Sequence, residues 1–389
     1  MSDRCSIELE ARIGIQEFLE SLGPVARLHL LKASDPEYKE AVRHLHKQQR
    51  FDRAQQAKRF VEQNFMALAP YFARGADINP KKITPHIELV KSGTRESDLF
   101  RLASLVWSVP VSEGYGRRMR FLVWDEYNGK LIGIFALGDP VFNLGARDKI
   151  IGWSSADRSE RLVNMLDAYV LGAVPPYSQL LGGKLIACLI RTLEVKNHFA
   201  EKYGVTQGII SKRVKQPSLV AVSTTSSLGR SSIYNRLTLD EKKYFSPIGF
   251  TSGFGHFHIS VELFEKLRRY LESINHAYAA GNRFGNGPNW KFRAIRAAFE
   301  SLGVSRDILQ HGIHREVFLC EMADNSLAVL NGEDQNPTYL GLKGLGHVAG
   351  LALDRWVIPR SRRNPSYLNW SLQDMFGDLK VTASFFDQK

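Results

Sequence analysis

Residues 120–139, RFLVWDEYNGKLIGIFALGD, constrain the chain most. Two apolar runs flank Asn128-Gly129, and Asn-Gly is the dipeptide that most readily adopts the left-handed backbone of a two-strand turn. The spacing predicts a hairpin with strands over 120–125 and 130–138. Short apolar strands separated by turns follow it: KIIGW at 149–153, NMLDAYVLGAV at 164–174, SLVAVST at 218–224, then YFSPIGFTSG and GHFHIS. Between them lie a break at Pro175-Pro176 and a helical run from Ser178 that ends at Gly204.

Residues 6–75 read as helices instead, with Ser34 and Asp35 as cap candidates before Pro36. Arg43, Lys47 and Arg50 recur at i, i+4 and i+7, one basic stripe. The last third carries the glycine-rich stretch AGNRFGNGPNW, a helix KFRAIRAAFESLG, a strand HREVFLCEMA and a basic segment with Arg355, Arg360, Arg362 and Arg363. The fold class expected is α+β: a helical region over 1–75, a mixed sheet flanked by helices over 76–280, and a small α/β region with a basic tail over 281–389.

Fifty-two Lys and Arg stand against 40 Asp and Glu, a net charge of +12, which favours a polyanionic partner, DNA in the first place. No apolar run approaches the roughly 18 residues of a membrane span and the start has no signal-peptide core, so no membrane partner and a cytoplasmic location are expected. Three scattered cysteines, Cys5, Cys188 and Cys320, make neither a disulfide framework nor a zinc site.

Three basic groupings are candidates for phosphate contact: Arg43, Lys47 and Arg50; Arg117, Arg118 and Arg120 beside Tyr115; and Arg293 with Arg296, one turn inside a helix that opens at Asn286, Gly287 and Asn289. A solvated charged face is the competing reading for each. His256 and His258 alternate along an apparent strand and would share one face. Three readings stay open for them: an ordinary strand face, a nucleic-acid contact, or part of a metal site for phosphodiester cleavage. The tyrosines downstream, Tyr270 and Tyr278, fall in a seam with Leu263, Leu267 and Ile274, which is core spacing. Carboxylates are the other route to such cleavage, since Mg²⁺ takes hard oxygen ligands. Asp139 and Asp148 bracket PVFNLGAR, and Asp167 sits among apolar neighbours where an ion needs a partner such as Arg147 or Arg161.

The segments KLIGIFALGDPVF, NMLDAYVLGAVPPYSQLLGGKLIACLI and SSIYNRLTLDEKKYFSPIGFTSG together resemble the GNAT acyltransferase fold. That resemblance implies Gln179, Gly182, Gly183 and Lys184 at a coenzyme A pyrophosphate loop and Tyr234 as the general acid. Lys184 stands where the pattern takes a small residue, so acetyl coenzyme A is not expected to bind. Over about residues 6–370, and above all in GWSSADRSERLVNMLDAYVLGAVPPY, TTSSLGRSSIYNRL and GPNWKFRAIRAAFESLG, the chain resembles the DruA family of the Druantia anti-phage defence system. This implies a bacterial defence protein that works beside a large helicase and smaller companion subunits, with phage nucleic acid as its target.

Three functions follow as expectations. Nucleic-acid recognition leads, metal-dependent nuclease activity is the alternative, and acyl transfer is the third.

Overall fold

The computed structural model describes residues 2–21, 36–107, 116–207, 214–227, 229–231, 233–256, 258–281 and 288–379. Helices α1 (Ser2–Ser21), α2 (Pro36–Gln56) and α3 (Lys58–Leu68) precede strand β1 (Pro85–Leu89) and helix α4 (Arg95–Leu105). The expected hairpin follows as β2 (Arg118–Asp125) and β3 (Lys130–Gly138). Next come α5 (Gly145–Ile151), α6 (Ser155–Arg161), β4 (Met165–Ala173), α7 (Gly182–Leu189), α8 (Leu193–Tyr203) and β5 (Ala221–Thr225). Then follow β6 (Ser246–Phe250), α9 (Val261–Ser273), α10 (Pro288–Ser301), β7 (Glu316–Glu321), α11 (Ser326–Asn331), α12 (Leu345–Ala352), α13 (Ile358–Arg363) and α14 (Leu372–Phe376), besides two pairs of two-residue strands outside the main sheet.

The seven strands form one mixed sheet in the order β1-β2-β3-β4-β5-β7-β6. Neighbours from β1 to β4 are antiparallel, β4 and β5 are parallel, and β5 and β7 are antiparallel. The fold is α+β, as expected. Side chains alternate across the sheet: Phe121, Val123, Ile132 and Phe135 join one buried cluster with α7, whereas Leu122, Leu131 and Ile134 join another with α3 and α4. Period-2 alternation thus covers both faces with helices.

The hairpin turn is fixed by its own residues. Gly129 takes φ +67°, and its N–H donates to the Asp125 carbonyl at 2.8 Å. Asp125 is fully buried, and its carboxylate accepts from Thr84 N at 3.0 Å and from the Tyr177 hydroxyl at 2.9 Å. That bond ties the turn to the loop after β4.

Two compact units divide the chain: residues 1–49, 228–230 and 250–315 form the smaller, and residues 50–227, 231–249 and 316–389 the larger. They cut across the three consecutive segments expected from the sequence. In the smaller unit, Leu263, Leu267 and Tyr270 of α9 are buried with Ala11 and Ile15 of α1 and Ile295 and Phe299 of α10. The core reading of that seam holds for these three α9 residues, whereas Ile274 and Tyr278 lie beyond the helix and are half-buried.

Two strand assignments are corrected. Lys149, Ile150 and Ile151 of KIIGW end α5, which stops at Gly152 with φ +80°. The stretch around His256 and His258 is turn rather than strand: Gly253 adopts φ +71° and Ser260 caps α9, its hydroxyl accepting from Leu263 N at 3.1 Å. The segment expected to be a basic tail is likewise folded, as a π-turn over Leu353–Val357 followed by α13.

Candidate functional site

The sheet opens at one point. β4 and β5 pair only at Met165–Ala221, Leu166–Val222 and Asp167–Ser223, while β4 continues beside β3 as far as the Gly133–Ala173 position. At the last paired position Ser223 Oγ donates to Asp167 Oδ1 at 2.7 Å, and one residue further Thr224 Oγ1 donates to the Ala168 carbonyl at 2.9 Å. Tyr234 stands behind them, its ring 5.2 Å from both Phe245 and Phe318. Burial pushes the Tyr234 hydroxyl up to about 12, against the Thr224 hydroxyl beside it, while the Asp167 charge raises it further.

Asp167 has no ion-pair partner among the described residues. Arg147, expected as that partner, is fully buried and binds Asp148 at 2.7 Å and the carbonyls of Val141 and Phe142, while Arg161 pairs with Asp157. Burial therefore dominates and lifts the Asp167 carboxyl to about 6, with Ser223 and the more distant Arg147 charge opposing. This acid changes charge near neutrality, which suits proton transfer.

The loop after β4 carries the residues expected at a phosphate. Leu181 takes φ +61°, a strained geometry for a leucine, and opens α7. Gly182 is required by close approach, because a Cβ there would lie 2.7 Å from the Tyr177 carbonyl oxygen and 2.9 Å from Ala173 Cβ. Gly183 faces open space. Lys184 Nζ sits 5.1 Å from the Trp356 ring centre, and Arg355 Cζ lies 5.9 Å from the same ring. Arg360 Nε donates to the Gln179 carbonyl at 3.3 Å. Burial, together with the charges of Arg236 and Arg355, lowers the Lys184 amine, with Cys188 acting weakly against them. Sequence reasoning missed Arg236 and Trp356 as parts of this cluster, since neither lies in the motif.

The other expected residues are spread out. Arg43 and Lys47 are exposed on α2 and Arg50 is half-buried. Arg117 is held by Asp139, Nε to Oδ1 at 2.7 Å, and also donates to the Val163 and Met165 carbonyls. Arg118 is exposed, and Arg120 lies with Cζ 5.6 Å from the Phe100 ring centre. Arg293 is exposed and Arg296 half-buried, both on α10. Tyr115, Asn286, Gly287, Ser34 and Asp35 lie outside the described residues.

The metal readings do not converge. Asp139 is taken by Arg117, Asp148 by Arg147 and Arg158, and His258 Nε2 lies 2.8 Å from the Ile308 carbonyl. Burial lowers His256 to about 4, with Lys291 and His258 adding to the effect. Among the described residues no three His, Cys, Asp or Glu side chains are placed to hold a metal ion. The described residues named as candidates are not arranged as a Mg²⁺ centre. No helix among them is long and apolar enough to cross a membrane.

The family model described as Druantia protein DruA matches residues 36–332. The chain belongs to the DruA family of the Druantia anti-phage system. A Druantia protein DruA from Escherichia coli (strain UMEA 4076-1) is 49% identical over 369 residues, covering 95% of this chain and 91% of that protein. No solved structure matches the chain. Family membership thus agrees with the resemblance carried by the motifs, and it spans both the β4–β5 opening and the α10 basic face.

Proposed function

We propose that the protein is the nucleic-acid-binding component of its Druantia system, acting on phage DNA in the cytoplasm beside a helicase and companion subunits. The observation that carries this reading is the cationic cluster at the start of α7. Lys184 and Arg355 both lie near one tryptophan ring, Arg236 adds its charge, and no carboxylate is among the groups acting on Lys184. Cations crowded together without an acid raise one another's energy, and a polyanion relieves that cost. The N–H groups that open a helix add a partial positive charge on the same side, and open space beside Gly183 leaves room for a phosphate. Arg43, Lys47, Arg118, Arg120, Arg293 and Arg296 supply further basic surface; Arg117, spent on Asp139, positions the end of β3 instead.

The test is retention and cleavage of labelled single-stranded and duplex DNA, with and without Mg²⁺ or Mn²⁺. Retention without metal and intact DNA in every lane is the expected result. Metal-dependent cleavage would favour the nuclease alternative, and no retention at low salt would remove the proposal.

Acyl transfer is a second reading with one observation in its favour. The parallel central strands β4 and β5 part beyond Asp167–Ser223, and an open cleft between central strands is what such a transferase needs for its coenzyme. On that reading Asp167 is the base, Tyr234 the acid, and Gln179, Gly182 and Gly183 the pyrophosphate loop. Calorimetry with acetyl coenzyme A separates the two. The nucleic-acid reading expects no appreciable binding, because Lys184 occupies the place of a small residue; micromolar affinity would promote the transferase.

A further inference from the structure

The smaller unit holds a cavity of about 340 Å³ between the end of the α9 turn and one face of α10. His276, Tyr278, Arg293, Arg296, Glu300 and Ser301 line it. Arg293 and Arg296 are three residues apart, so their guanidinium groups project from one helix face. Arg296 Nε is buried without a hydrogen-bond partner among the described residues, and its Cζ lies 5.8 Å from the Phe292 ring centre. Such an unmet donor is costly unless something fills it.

The hydroxyls of Tyr278 and Ser301 can donate into the same space. Glu300, the one acid, is held by Arg306 at 2.9 Å. His276 Nδ1 accepts from Tyr278 N at 3.1 Å, which leaves the proton of the neutral ring on Nε2 as a donor. Trp290 Nε1 donates to the Tyr278 carbonyl at 2.8 Å and fixes the segment that presents the tyrosine ring.

We infer that this cavity binds a nucleotide through a terminal phosphate monoester. Two guanidinium forks match a doubly charged monoester better than the single charge of an internal diester. Tyr278 offers a flat face for a base. The volume is near the lower end of ligand pockets, room for one nucleotide and not for a duplex. The inference rests on the nucleic-acid reading and narrows it: along with backbone phosphates, the protein recognises a nucleotide whose phosphate is free.

The test is anisotropy binding of labelled thymidine decamers that carry a 5′-phosphate, a 3′-phosphate or hydroxyls at both ends, with thymidine 5′-monophosphate as competitor. A phosphorylated decamer should bind about tenfold more tightly than the hydroxyl form, the worth of one charged hydrogen-bond pair. Arg296→Gln should abolish the difference, and Arg293→Ala, at an exposed position, should reduce it with the fold intact. The more tightly bound end identifies the source as a 5′ or a 3′ terminus, and full competition by the mononucleotide identifies it as a free nucleotide. Equal binding of all three decamers would overturn the inference and leave the nucleic-acid reading standing. Loss of binding by all three would remove both.

Discussion

Ser223 Oγ donates to Asp167 Oδ1 at 2.7 Å at the last position where the two parallel central strands still pair. The bond joins the acid with a carboxyl near 6 to the place where the sheet opens. A carboxyl raised above its unfolded value of about 3.9 favours the protonated folded state. Its destabilising effect grows as pH rises through the window from about 4 to 6 and is complete above it. Asp167→Asn should therefore stabilise the protein at pH 7 by on the order of 2 kcal/mol, with the gain shrinking towards pH 4. Urea midpoints at both pH values measure it, and a destabilised variant at pH 7 would contradict the raised carboxyl.

Tyr234 has its ring against Phe245 and Phe318 and its hydroxyl beside Thr224. Tyr234→Phe keeps the ring contacts and should cost about 0.5–1.5 kcal/mol, one hydrogen bond. An unchanged melting midpoint with lost phage protection would mark the hydroxyl as chemical rather than structural.

Gly182 and Gly183 should respond oppositely to alanine. A Cβ at Gly182 meets the Tyr177 carbonyl oxygen at 2.7 Å, whereas one at Gly183 meets nothing within 4 Å. Gly182→Ala should destabilise by about 1–3 kcal/mol through overpacking, and Gly183→Ala should be neutral or slightly stabilising. Thermal melts of the two variants compare them directly.

Three histidines of the smaller unit give it an acid limit. Burial lowers His46 and His256 to about 4 and His311 to about 3, with neighbouring positive charges adding to each. Their folded values lie below the unfolded value of about 6.5, so the unfolded chain binds more protons at mildly acidic pH. Stability is present above pH 6.5 and falls as pH drops towards 4, by up to about 1.4 kcal/mol per pH unit for each histidine. Hydrogen exchange on the full chain, corrected for intrinsic rates, should show protection within 258–281 and 288–315 falling from pH 7.5 to 5.5. Unchanged protection there would contradict the buried neutral histidines.

Much of this architecture was legible because local signals agreed with it. Asn128-Gly129 needs a left-handed glycine, which Gly129 supplies, and the α9 seam has the helical period of a buried stripe. His256 and His258 misled because an apparent alternation over four residues is too short to separate a strand from a turn. Gly253 and the Ser260 cap decided for the turn. KIIGW was too short to separate one helical turn from a strand. The partner of Asp167 could not be read from spacing, since Ser223 lies 56 residues away and meets it only through strand pairing. Arg236 and Arg355 escaped the α7 cluster for the same reason: their nearness to Lys184 is a property of the fold.

The salt dependence of DNA binding tests the central claim most directly. Each phosphate neutralised contributes about −0.9 to the slope of log K against log salt on duplex and about −0.7 on single strands. Arg236 and Arg355 are both exposed, so replacing them by alanine leaves the core untouched. The double variant should bind more weakly and flatten the slope by about 1.4 on single strands or about 1.8 on duplex, with no change in sequence preference. An unaltered slope in that variant, or a complex insensitive to salt in the natural protein, would contradict the account.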